Sequence, residues 1–198
     1  MDHLSNLENK SVHILREAYA HFQKLGMLWS IGKDSTVLLW LTRKAFFGHV
    51  PFPLIHIDTH YKIPEMIEYR NRLALEWNLS LIIGSNEKAL QEKRTFPDKS
   101  IDRVGCCKLL KTDALRATLS GEGKRYYLDL NSQKIEVDKN QDPFTAVILG
   151  IRADEEGTRS KERYFSPRNK ESNWDVGNQP PEFWNQRNDF RCRFVARY

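Results

Sequence analysis

Ser30-Ile31-Gly32-Lys33-Asp34-Ser35-Thr36 lies between the apolar segment 25–29 and the helical run 37–47. It reads as a strand that turns through a glycine into the start of a helix. Such a turn aims several backbone amides and the positive end of a helix at one point, which suits an anion. A phosphate is the natural occupant.

Two phosphate loops are separated by their spacing. Walker A needs four residues between its first glycine and the Gly-Lys pair, with Ser or Thr directly after the lysine. Gly26 lies one residue too far from Gly32, and Asp34 follows Lys33, so that pattern is excluded. The remaining signature, Ser-x-Gly-Lys-Asp-Ser on a strand-to-helix turn, resembles the PP-loop of the ATP pyrophosphatases. The resemblance implies that Ser30, Gly32, Lys33, Asp34 and Ser35 hold the β and γ phosphates as leaving pyrophosphate.

Outward from the loop, residues 4–23 place Leu4, Leu7, Val12, Ile14, Leu15, Ala18 and Phe22 at mostly helical spacing. The helix after the loop is expected to turn Val37, Leu38, Leu41 and Ala45 inward and to stop near Gly48 and Pro51. A second buried strand runs through 52–59 and closes in Asp58, followed by a helix over 63–77 with Pro64 in its first turn. Residues 79–83 supply a third strand, 84–105 a loop or broken helix, and 107–119 a helix ended by Gly121-Glu122-Gly123. Alternation over 124–142 predicts a β-hairpin on the edge of the domain. Residues 145–149 form another strand, which opens into the charged loop Gly150-Ile151-Arg152-Ala153-Asp154-Glu155-Glu156.

Apolar strands alternating with helices give an α/β fold, a Rossmann-like three-layer sandwich around a mostly parallel sheet. We read residues 1–198 as a single domain with an irregular, charged segment over 158–198. Ligands of such sheets bind outside the carboxyl ends of the strands. The loop at Ser30 to Ser35, the group Asp58-Thr59-His60 and the segment Gly150 to Glu155 are therefore expected to meet at one edge.

Lys33 and Arg152, with backbone donors, would offset phosphate charge and stabilise the charge that develops on in-line attack at phosphorus, which makes them the catalytic candidates. Arg159 and Arg163 are further phosphate or sulfate contacts, although Glu155, Glu156, Arg159 and Arg163 also have spacings of surface ion pairs. Asp154 and Glu155 would hold magnesium across the phosphates, or orient Arg152 and Arg159. Asp34 suits the first turn of a helix as well as a site. Asp58 reads equally as a helix cap and as a site residue.

Composition narrows the class without naming the ligand. Hydrophobic residues make up 40% and charged residues 29% of the chain, and no apolar run approaches the roughly 20 residues of a membrane span. The opening ten residues are polar, so a cytoplasmic protein is expected. The three cysteines, Cys106, Cys107 and Cys192, include no C-x-x-C pair, so reduced thiols are expected rather than a complete zinc or iron-sulfur site. A net charge of +5 favours anionic ligands: nucleotide, sulfate or nucleic acid. Arg187, Arg191, Arg193 and Arg197 near the carboxyl end fit nucleic-acid phosphates or a charge-protected strand edge.

The motifs add up beyond the loop. Leu28-Trp29-Ser30-Ile31-Gly32-Lys33-Asp34-Ser35, Pro51-Phe52-Pro53-Leu54-Ile55-His56-Ile57-Asp58-Thr59, and the segments 62–70, 150–163 and 174–184 together resemble the small subunits of bacterial ATP sulfurylases. These lie within the wider phosphoadenylylsulfate reductase family, whose fold is of the adenine nucleotide alpha hydrolase kind. The resemblance implies attack of sulfate on the α phosphate of ATP, yielding adenylyl sulfate and pyrophosphate, with ATP and magnesium bound and a GTPase large subunit as partner. It puts Asp58 near the nucleoside and Arg152, Arg159 and Arg163 at phosphate or sulfate. The family usually has Gly at the positions of Ile31 and His60, and the chain stops before the family's further C-terminal strand and tail. Cys106-Cys107-Lys108 with Lys111 looks like the reductase branch, without its later Cys-x-x-C. A sulfonucleotide reductase-like enzyme using Cys106 or Cys107 is one alternative. A shortened, non-catalytic nucleotide-binding subunit of a larger assembly is the other.

Overall fold

The computed structural model describes residues 2–150, 164–166 and 192–196. Two compact units are present, one of Met1–Phe52 with Phe144–Tyr198 and one of Pro53–Pro143. The first unit begins with α1 (His3–His21), β1 (Leu25–Leu28) and α2 (Lys33–Ala45). The second holds β2 (Leu54–Ile57), α3 (Pro64–Glu76), β3 (Leu81–Gly84), α4 (Glu87–Gln91), α5 (Arg103–Cys107), a π-helical turn (Lys108–Asp113), α6 (Ala114–Ser120), β4 (Arg125–Leu128) and β5 (Ile135–Val137). The chain then returns to the first unit with β6 (Ala146–Gly150), β7 (Phe165–Ser166) and β8 (Cys192–Ala196).

In the first unit β1, β6 and β8 run parallel and β7 is antiparallel to β8, with Met27 opposite Ile148 at the core. α1 starts on Asp2, whose side chain accepts the Ser5 amide at 2.7 Å, and buries Ser11, Ile14, Leu15 and Ala18. That stripe begins only at Ser11, so Leu4, expected on it, lies in a first turn that runs past the core and is 74% exposed.

α2 buries Leu38, Leu39, Leu41, Thr42 and Ala45, whereas Val37 is 48% exposed. The inward placement of Val37 is therefore corrected. At 3.6 residues per turn it falls on the outer face with Trp40 and Lys44, while Leu39 takes the inner one. Lys44 lies over the Trp40 ring and pairs with Glu8 of α1 at 2.6 Å.

In the second unit β2 and β3 are parallel, and β3–β4 and β4–β5 are antiparallel. The hairpin over 124–142 is as the alternation predicts. Gly84 ends β3 rather than opening a turn, because a Cβ there would stand 2.0 Å from Thr118 Oγ1 of α6. Gly121 closes α6 with φ +78, the left-handed conformation in which only glycine sits without strain.

Beside it Arg125, 1% exposed, gathers the end of the hairpin. Its guanidinium donates to Asn140 O at 2.8 Å, to Asp142 O at 3.0 Å and to Thr118 O at 3.4 Å. Asp138 Oδ2 lies 3.7 Å from its Nε.

Candidate functional site

The 30–35 loop leaves the carboxyl end of β1 with Trp29 fully packed beneath it, and the Trp29 indole N–H donates to Thr36 Oγ1 at 3.2 Å. Strand end and helix start are thus tied together by one side chain. Above this tie the hydroxyls close a ring. Ser30 Oγ accepts the Gly32 amide at 3.3 Å and lies 3.0 Å from Ser35 Oγ, which donates to Gly32 O at 3.0 Å. With the Ser35 proton on Gly32 O, Ser30 is the donor between the two hydroxyls.

Gly32 caps α2 with no side-chain acceptor, and the first intrahelical bond is from the Thr36 amide to Gly32 O at 3.0 Å. The amides of Lys33, Asp34 and Ser35 precede that bond and give the helix end its unsatisfied donors, beside the exposed Lys33 side chain. At the end of β6, Gly150 lets the helix start approach: a Cβ there would stand 3.2 Å from Asp34 O and 3.3 Å from Ser35 Cα. Ser30, Gly32, Lys33, Asp34 and Ser35 are therefore brought into one loop and first turn, next to the end of a parallel strand. An anion could accept from several of these donors at once.

Ile31 sits at φ +68, half-buried. Left-handed backbone costs a β-branched residue about 1–2 kcal/mol. Replacing Ile31 by Gly is expected to stabilise the protein by about 0.5–1 kcal/mol once the greater unfolded-state freedom of Gly is subtracted. A urea midpoint that rises on this substitution is the check; a fall would mean that side-chain packing outweighs the strain.

The second unit places Asp58 just beyond β2. Its Oδ1 accepts the His60 amide at 2.9 Å and its Oδ2 lies 3.4 Å from Nη1 of the buried Arg70. The cap of α3 is Ile63, so Asp58 is not a helix cap; it closes a turn onto His60, which takes φ +61. His60 is exposed.

His56, Lys62 and Arg70 complete this cluster and were not singled out from sequence. Lys62 Nζ donates to Ile57 O at 2.6 Å and lies 2.8 Å from Nε2 of the fully buried His56. The available signal was three basic residues flanking one carboxylate across a strand, loop and helix.

Burial would raise the Asp58 carboxyl, but the His60 amide and the charges of Lys62, His60 and Arg70 outweigh it and hold it below the ordinary value. A depressed carboxylate contributes stability that is present above its unfolded value, near 3.8, and is lost as pH falls through the lower folded value. Asp58→Asn should therefore be less stable than the parent at neutral pH, with the gap closing below about pH 4. Parallel denaturation series across that range would check it; a gap independent of pH would mean that the loss is one of packing.

Arg152, Asp154, Glu155, Arg159 and Arg163 lie outside the described residues. Among the described residues no group of three or more His, Cys, Asp or Glu is placed to hold a metal ion, so they form no metal cage of their own. Cys106 and Cys107 are free thiols, the latter exposed. No helix among the described residues is long and apolar enough to cross a membrane.

Residues 24–188 match the model of the phosphoadenosine phosphosulfate reductase domain. The chain belongs to that family. Curated relatives of the same family include two proteins named sulfate adenylyltransferase subunit 2, 40% identical in Shewanella loihica and 43% identical in Agrobacterium fabrum, each over 92% of this chain. The chain spans about half of their length, 54% and 51% respectively. Among solved structures, the FMN adenylyltransferase of Candida glabrata, determined in complex with ATP, aligns with a TM-score of 0.51 at 14% identity, over 96% of this chain and 49% of that one. That likeness supports the α/β fold. The sequence resemblance to the phosphoadenosine phosphosulfate reductase family thus holds across nearly the whole chain. Ile31 and His60 both take a left-handed backbone.

Proposed function

We propose that this chain binds ATP through the 30–35 loop and transfers its adenylyl group to sulfate, giving adenylyl sulfate and pyrophosphate. The observation that carries the reading is the uncapped first turn of α2, with Lys33 beside it and the Ser30–Ser35 hydroxyl ring at its mouth, in a chain whose curated relatives are named as sulfate adenylyltransferase subunits. In the proposed reaction a sulfate oxygen attacks the α phosphorus and the bond to the bridging oxygen of the β phosphate breaks. The first-turn amides and Lys33 take up the charge that develops on the departing pyrophosphate. Arg152 is the second proposed catalytic cation, Arg159 and Arg163 the phosphate or sulfate contacts, and Asp58 the contact to the nucleoside.

Magnesium is proposed to accompany the nucleotide, with Asp154 and Glu155 as its protein ligands and phosphate oxygens supplying much of the rest. The relatives' designation as a second subunit supports a larger partner subunit. A GTPase is the proposed partner, because adenylyl sulfate formation is uphill and needs a coupled source of free energy. The proposed place of action is the cytoplasm.

The test is incubation of the full chain with magnesium, α-labelled ATP and sulfate, with inorganic pyrophosphatase drawing the equilibrium forward. Labelled adenylyl sulfate above the protein-free control is the expected product. Tight ATP binding without product, even when a partner subunit is added, would overturn the transfer reading and leave a nucleotide-binding subunit. Thiol chemistry is the second reading, motivated by the exposed Cys107; full activity in a variant with Cys106 and Cys107 both replaced by Ser would remove it.

A further inference from the structure

Lys62 folds back over the end of β2 within the second unit. Its Nζ donates to Ile57 O at 2.6 Å and stands 2.8 Å from Nε2 of His56, which is 0% exposed. The nearby carboxylate, Asp58, is shared with Arg70 at 3.4 Å, whose side chain is 1% exposed. Lys62 itself is half-buried.

A lysine is ordinarily a poor nucleophile because its lone pair carries a proton. Desolvation, a neighbouring cation and a base within hydrogen-bond reach together activate it. All three are present here. Burial has the largest effect and lowers the Lys62 pKa; Asp58 opposes it, Arg70 and Lys111 reinforce it, and the net value lies below that of an ordinary lysine.

We propose that Lys62 is an acyl-accepting amine that takes the acyl group of a small acyl phosphate, with His56 as the proton acceptor. The Nζ lone pair attacks the carbonyl carbon and a C–N bond forms. The C–O bond to phosphate breaks, and inorganic phosphate leaves with the bonding pair. Of the two protons that the resting ammonium loses, the first leaves to solvent to free the lone pair and the second passes on attack to His56 Nε2, and no oxidant or reductant takes part. An acyl phosphate suits the place because Lys62, Arg70 and Lys111 outnumber Asp58 in charge and attract a dianionic leaving group. The product is a neutral amide with a single N–H. It loses the charge-assisted bond to Ile57 O and removes one of the cations that hold the Asp58 carboxylate in its ionised form. Acylation would thereby loosen the turn that carries Asp58 and His60. The proposal rests on residues of the second unit and its test needs no bound nucleotide.

The test uses the full chain with acetyl phosphate, following each lysine by peptide mass spectrometry over time and across pH. Lys62 should be acetylated about tenfold faster at neutral pH than the exposed Lys88, Lys93 and Lys99, with its rate rising at lower pH than theirs. His56→Gln should slow Lys62 several-fold and leave the other lysines unchanged. If that variant does not fold, the wild-type pH profile decides by itself. Acetylation of Lys62 no faster than the exposed lysines, or a profile that coincides with theirs, overturns the proposal.

Discussion

Lys33→Ala lowers the affinity for ATP by about 10- to 100-fold, the loss expected when a charged donor to phosphate is removed. Lys33 is exposed at the first turn of α2, so the fold does not depend on it and thermal stability should stay within about 0.5 kcal/mol of the parent. Lys33→Arg should recover only part of the loss, since a planar guanidinium does not reach into a loop shaped for a compact ammonium. Titration with labelled ATP at fixed salt measures all three proteins. Unchanged affinity in the alanine variant would place the phosphates away from this loop and remove the basis of the proposed adenylyl transfer.

Arg125→Ala destabilises the protein by about 3–5 kcal/mol, the range found when one partner of a buried charge pair is removed. The side chain is 1% exposed and its loss frees the backbone oxygens of Asn140, Asp142 and Thr118 at one stroke, leaving Asp138 beside an uncharged cavity. Arg125→Met separates the two parts of this effect. It keeps the aliphatic stem and removes the donors, so most of the loss should remain. Denaturant unfolding gives the result, and a methionine variant as stable as the parent would show that Arg125 acts through volume alone.

Period and punctuation in the sequence located most of the fold. Pro64 opens α3, Gly121 closes α6, and Ser30 to Ser35 lie on a strand-to-helix turn, because proline, glycine and the 3.6-residue repeat act locally. The failures share a cause in tertiary contact. Arg125 reads as an outward residue in an alternating strand and is buried because the returning hairpin brings carbonyl oxygens that need donors. His56 sits in an apolar run with nothing to show that Lys62, six residues on, would fold back to it. Asp58 has the composition of a helix cap, and only the chain path shows that its carboxylate turns to His60 and Arg70 instead. At Ile31 and His60 the left-handed backbone was legible only through the glycines expected there, since nothing in isoleucine announces a positive φ.

Between α5 and α6 the π-helical turn fits one residue more into a turn than an α-helix does. Each α-helical residue rotates the helix by about 100°, but the surplus residue is taken up by widening one turn, so the helix before it and the helix after it keep their relative azimuth. Leu119 and Thr118 are fixed inward on α6, and the face on which Cys106 and Cys107 emerge follows from that anchor through the count of residues between them. Deleting one residue of 108–113 would let the segment close as a regular α-helix with the two thiols on the side they already face, whereas the same deletion in a regular α-helix would swing them by about 100°. The widened turn thus lets the segment carry one residue more while the pair keeps its outlook.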